Sequence, residues 1–109
     1  MRHSPRVTDP ERLTFWNTWQ LAKKIERQLR SRRFVVLDNG GPDISEPQTM
    51  LHVSVTKEDD SLVALLTLYV GTEERPYRLM STEGHTVEFV DEGVVLDLGC
   101  GRLVRLQFA

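Results

Sequence analysis

The side chains able to do covalent or acid–base chemistry are few: His3, His52, His85 and Cys100, with scattered carboxylates. A zinc site takes three or four His, Cys or acidic ligands, usually in closely spaced pairs. No two of these four residues stand at the spacing of a helical or finger-type pair, so no metal ligand is assigned. A nucleophilic cysteine needs a base or cation that favours its thiolate. Arg102 lies near Cys100 in sequence and His85 occupies another turn, but Gly99-Cys100-Gly101 reads more simply as a hairpin loop whose glycines take positive φ.

Neighbouring acids occur at Glu58-Asp59-Asp60, Glu73-Glu74 and Asp91-Glu92, each on an expected turn. Carboxylates that exchange protons need unlike surroundings, usually in a cleft, and turn tips are solvated alike. Glu88 and Asp97 fall on strands, where facing water explains them as well. Asn39-Gly40-Gly41-Pro42 is too short for a phosphate-cradling loop and opens no helix. No catalytic or cofactor-binding residue is assigned, no cofactor is expected, and the expectation is that the protein is not an enzyme.

Binding chemistry has a clearer trace. Arg12, Trp16, Gln20, Lys23, Arg27 and Arg30 recur at intervals of three or four, which places them on one face of a helix. Arg and Trp are the residue types that anchor interfaces. This face is the expected partner-binding surface. The competing reading is a solvated face with Trp16 folded over a flank of the core, since long basic side chains also cover apolar edges.

The element that carries this face is expected to run from Asp9 to Arg33. Thr8-Asp9-Pro10-Glu11 is a start signal: an acceptor side chain for the first-turn N–H groups, then proline where its missing N–H costs nothing. Phe15, Thr18, Trp19, Ala22, Ile25 and Leu29 form the opposite, apolar stripe, with Leu21 widening it. Trp19 is expected in the core. Arg30, Arg32 and Arg33 suit the negative end of the helix dipole.

After the helix the pattern changes to short alternating runs separated by turn residues. Strands are expected at 34–37, 48–56, 62–70, 76–81, 86–90, 94–98 and 102–108, with a surface loop up to Pro47 and another over Gly71 to Arg75. The run Leu62 to Val70 is apolar on both faces and reads as the central strand, covered on both sides or lying in a dimer interface. The expected fold is α+β: one long N-terminal helix (9–33) on a meandering, curved antiparallel sheet of six or seven short strands (34–108), in a single domain (9–109) after a flexible N-terminus (1–8).

Charge divides the same way. Residues 1–33 carry nine Lys/Arg against three acids, a balance of +6, whereas the remainder has five against thirteen, or −8. A basic element on an acidic body suits either a basic contact face or a helix matched to its own sheet. A single cysteine cannot form an internal disulfide, and the first residues have no apolar signal-peptide core, so the expected compartment is the cytoplasm.

These features point to an intracellular interaction protein, of the inhibitor, adaptor or assembly-factor kind. Another protein is the expected partner, self-association through the sheet or its edge strand is a further expectation, and no membrane partner is expected. Nucleic acid bound by the basic face is the alternative, with the acidic remainder and a pI of about 5.9 against it. A small-ligand carrier or enzyme with a pocket between helix and sheet ranks last.

Overall fold

The computed structural model describes residues 10–30, 32–49 and 51–109. The expected start signal at Thr8 and Asp9, the flexible N-terminus and His3 lie outside the described residues.

The chain is α+β, with a helix much shorter than expected. The elements are β1 (Glu11–Arg12), α1 (Thr18–Leu29), β2 (Phe34–Asp38), β3 (Ile44–Gln48), β4 (His52–Glu58), β5 (Ser61–Val70), β6 (Glu73–Met80), β7 (Thr86–Val90), β8 (Gly93–Asp97) and β9 (Leu103–Phe108). The expectation of a helix over 9–33 is corrected: α1 has 12 residues. Its start is displaced because Thr14-Phe15-Trp16-Asn17-Thr18 is a run of weak helix formers with a competing local structure. The Thr14 N–H donates to Asn17 Oδ1 at 2.7 Å and the Asn17 N–H donates to Thr14 Oγ1 at 3.1 Å. These reciprocal bonds make a closed turn upstream of the helix. The residues before it are free to extend, so Glu11–Arg12 pairs with β7 as a strand. At the other end, Arg30 is extended, with φ −65° and ψ 134°, and Phe34 goes straight into a strand.

The single meandering sheet is also corrected. The described residues form two antiparallel sheets, one of six strands in the order β1-β7-β8-β9-β2-β3 and one of three, β4-β5-β6. The stretch expected as a loop up to Pro47 contains β3, paired to β2. The loop expected over Gly71 to Arg75 is a two-residue turn, with β6 beginning at Glu73. Neither 44–47 nor 73–76 alternates cleanly, because little there is buried: Ile44 alone in β3, and in β6 burial begins only with Tyr77 and Leu79.

The core lies between the two sheets. Ala64, Leu66, Leu68, Tyr77 and Leu79 from the small sheet meet Phe34, Val36, Val87, Phe89, Val94, Leu96, Val104 and Leu106 from the large one. Helix α1 packs on β4, β5 and β8 and inserts Leu21, Ala22, Ile25 and Leu29 into the same core. At ~25 cal/mol per Å² of apolar surface removed from water, this shared burial is the main stabilising term. Leu13, fully buried just after β1, ties the N-terminal strand to it, and its N–H bonds the His85 carbonyl at 2.9 Å.

The four sheet edges differ. β1 has two residues. β3 contains Pro47 and a register shift against β2. β6 contains Pro76. β4 has seven residues, no proline and an unbroken register with β5.

Candidate interaction surface

The residues singled out from the sequence do not form one face. Gln20, Lys23 and Arg27 stand on the outer ridge of α1, opposite its buried stripe, and all three are exposed. Arg30 ends the helix on a flank of that ridge, 3.8 Å from Glu26. Arg12 and Trp16 are not on the helix, which corrects the proposed helical row. Arg12 belongs to β1, with its guanidinium against Gly84 in the turn before β7. Trp16 belongs to the closed turn that precedes α1.

That turn presents aromatic rings to solvent. Trp16 is 85% exposed and Phe15 is 41% exposed. Their ring centroids are 5.3 Å apart at 83°, an edge-to-face pair. The turn is held by the Thr14–Asn17 exchange, by Asn17 Nδ2 donating to the Arg12 carbonyl at 2.9 Å, and by Thr18 Oγ1 donating to the Thr14 carbonyl at 2.6 Å. The rings are therefore on a rigid mount, not a loose loop.

Trp19 also departs from its expected place. It is 53% exposed, because it stands on the flank of α1 beside β4 while Thr18, Leu21 and Ala22 of the same turn form the buried stripe. It forms one wall of a groove of about 220 Å³ between α1 and β4, lined also by Ala22, Lys23, Glu26, Val53, Ser54 and Val55. Phe15, Trp16 and Trp19 thus make an exposed aromatic run along the start of α1. Among the described residues Lys23 and Arg27, beside it, make no ion pair. On the opposite flank Lys24 is occupied, 4.0 Å from Glu11 and 4.5 Å above the Phe89 ring. On α1, the cations without an ion pair therefore stand on the side of the aromatics.

A second polar cluster lies across the molecule and escaped the sequence reading. Asp38, buried at the end of β2, accepts from Arg102 Nε at 3.1 Å and Nη2 at 2.7 Å, and from the Gly40 N–H at 2.9 Å. The Arg102 bonds hold its carboxyl below the ordinary value, against the opposing effect of burial. Asn39 completes the clasp, donating to the Gly101 carbonyl at 3.0 Å and accepting from the Leu103 N–H at 2.7 Å. Asp38, Arg102, Arg75, Glu73 and Tyr77 line a cleft of about 220 Å³. Burial pushes the Tyr77 hydroxyl above its usual pKa. Asp-Asn-Gly-Gly signalled a turn, but nothing in sequence links it to Arg102, 64 residues away.

His85, next to the turn before β7, is buried, and its Nδ1 accepts the Met80 N–H at 3.0 Å. His52 is exposed on β4 and Cys100 is exposed at its loop tip. No group of three or more His, Cys, Asp or Glu among the described residues is placed to hold a metal ion. No helix among them is long and apolar enough to cross a membrane. No protein-family model, curated protein or solved structure matches the chain.

Proposed function

We propose that the protein is a small interaction module of the cytoplasm, an inhibitor, adaptor or assembly factor, that acts by binding another protein through the aromatic run Phe15, Trp16 and Trp19 and the adjoining cations Lys23 and Arg27. The observation that carries this reading is Trp16, almost wholly in water yet fixed on a hydrogen-bonded turn. A tryptophan left in water gives up a large hydrophobic gain, and holding it rigidly lowers the ordering cost of a later contact. The fitting partner is an acidic surface with an apolar pocket. Arg12, across the turn, and Gln20 and Arg30, on the helix, form the rim of this surface in the same reading.

The test is affinity capture with the full chain, comparing wild type, Trp16→Ala and Lys23→Glu/Arg27→Glu, with folding checked by circular dichroism. A partner held by wild type and lost by both variants, while both remain folded, supports the reading. Capture indifferent to Trp16 and to the charge reversal would overturn it.

Exposed aromatics beside cations also suit stacking on single-stranded nucleic acid. Tryptophan fluorescence titrated with generic single-stranded and duplex DNA separates the two readings. A Trp16-dependent response that fades steeply with salt favours nucleic acid, and silence at low salt removes it.

A further inference from the structure

We propose that β4 is the assembly edge of this protein and that its occupant is β4 of a second copy, joined in antiparallel fashion about a two-fold axis at Val55. An open strand edge offers unpaired N–H and C=O groups to any extended chain, and soluble proteins usually blunt such edges. Among the described residues three of the four edges are blunted, β1 by its length, β3 by Pro47 and a broken register, β6 by Pro76. The fourth, β4, is long, regular and free of proline.

Which groups β4 offers follows from its hairpin. Glu58 and Ser61 flank a two-residue loop and form a hydrogen-bonded pair, so Thr56, Ser54 and His52 also bond to β5. The N–H and C=O groups of Val53, Val55 and Lys57 then point out of the sheet. A strand joined to them must place its own outward groups in the same alternation.

A second copy meets this condition along the whole strand. With Val55 opposite Val55, Val53 of each copy lies opposite Lys57 of the other, and all outward groups pair. The same register sets Ser54 opposite Thr56 and His52 opposite Glu58. Both ends of the pairing therefore carry a donor ring against a carboxylate. Glu58 Oε1 accepts from Arg78 Nη2, which leaves its second oxygen for His52. The helix agrees with the strand. Trp19, Lys23 and Glu26 overhang β4 on the flank of α1 that lines the groove. The two-fold brings this flank toward its copy, so the dimer draws Trp19 and Lys23 into its own seam and leaves Phe15, Trp16 and Arg27 to the partner of the proposed function. The result is a continuous six-stranded sheet, β6-β5-β4 with β4-β5-β6, carrying two helices on one side.

The experiment is sedimentation equilibrium of the full chain over a wide concentration range, with two variants. Wild type is expected to reach twice the 12.6 kDa mass of the chain. Val55→Pro deletes an outward N–H that the monomer fold does not use, and is expected to weaken the dimer by roughly a hundredfold or more. Should Val55→Pro fail to fold, Ser54→Cys/Thr56→Cys in a Cys100→Ser background decides instead. Oxidation is expected to give a covalent dimer, since facing non-hydrogen-bonded positions bring Cβ atoms within disulfide reach. A wild-type chain that is monomeric at every concentration overturns the proposal. So does a dimer that folded Val55→Pro leaves intact, or one that the cysteine pair does not cross-link.

Discussion

Arg78 Nη2 meets Glu58 Oε1 at 2.8 Å across the full width of the three-stranded sheet. The registers place Glu58 beside Ser61 and Arg78 beside Leu65, so the ion pair passes over Val63 on the outer face. Val63, 1% exposed on the face turned away from the shared core, lies beneath this pair.

The pair is expected to shield Val63 more than it stabilises the fold. Both side chains are about half exposed, so solvent screens the pair. A double-mutant cycle with Glu58→Ala and Arg78→Ala is expected to give a coupling of about 0.5 kcal/mol in low-salt urea unfolding, fading toward zero in high salt. A coupling above ~2 kcal/mol would show that the pair is held by more than the geometry described.

The Asp38–Arg102 clasp should make stability depend on acid. The folded carboxyl sits below its ordinary 3.8, so the unfolded chain binds the proton more readily. Its contribution is therefore complete above about pH 5 and is lost as pH falls through and below 3.8. Arg102→Ala leaves a buried carboxylate short of two donors and is expected to cost about 2 kcal/mol at pH 7. In that variant the acid-dependent part of unfolding should shrink, read as the change in denaturation midpoint between pH 7 and pH 3.

Gly93 opens β8 at φ 148°, where a side chain is strained, and a Cβ there would overlap the Leu106 carbonyl oxygen. Gly93→Ala forces β8 and β9 apart at the centre of the larger sheet. The expected loss is about 3 kcal/mol or more, measured by thermal or urea unfolding.

The two tryptophans should respond differently from what their sequence positions suggest. Trp16→Ala is expected to change stability by less than ~0.5 kcal/mol, as for a surface site. Trp19→Ala should cost about 1–2 kcal/mol, short of the ~3–5 kcal/mol of a core truncation, because half the ring is already in water. Equal losses at both positions would contradict the placement described.

Cys100 has φ 54° between Gly99 and Gly101, themselves at positive φ. Two successive positive-φ residues are the signature of the turn that favours Asn-Gly. Cys100→Asn is accordingly expected to raise stability by about 0.5–1 kcal/mol, read from the unfolding midpoint.

Much of this architecture was legible. Alternation separated the two faces of β7, β8 and β9, because Val87 and Phe89, Val94 and Leu96, and Val104 and Leu106 form single buried rows. The stripe Thr18, Leu21, Ala22, Ile25 and Leu29 was read correctly for the same reason. β3 was not legible, because Ile44 alone of its five residues is buried; β6 was read over 76–81 from Tyr77 and Leu79, and only its start at Glu73 was missed, since Glu73 to Pro76 bury little. The helix start was misread because Pro10-Glu11 imitates a first turn, while the bonds that prevent one belong to Thr14 and Asn17. Of the expected surface, Trp16 is exposed and not folded over the core, and its helical alignment with Arg27 is lost, since a turn separates them.

The unequal edges have a consequence for how far any sheet built from this chain can extend. A molecule with two good edges can add copies without end and grow into a fibre. Among the described residues this one has a single good edge. Strand addition, whether functional or accidental, therefore terminates after one step, and the prolines at positions 47 and 76 act as stoppers on the sides that remain exposed.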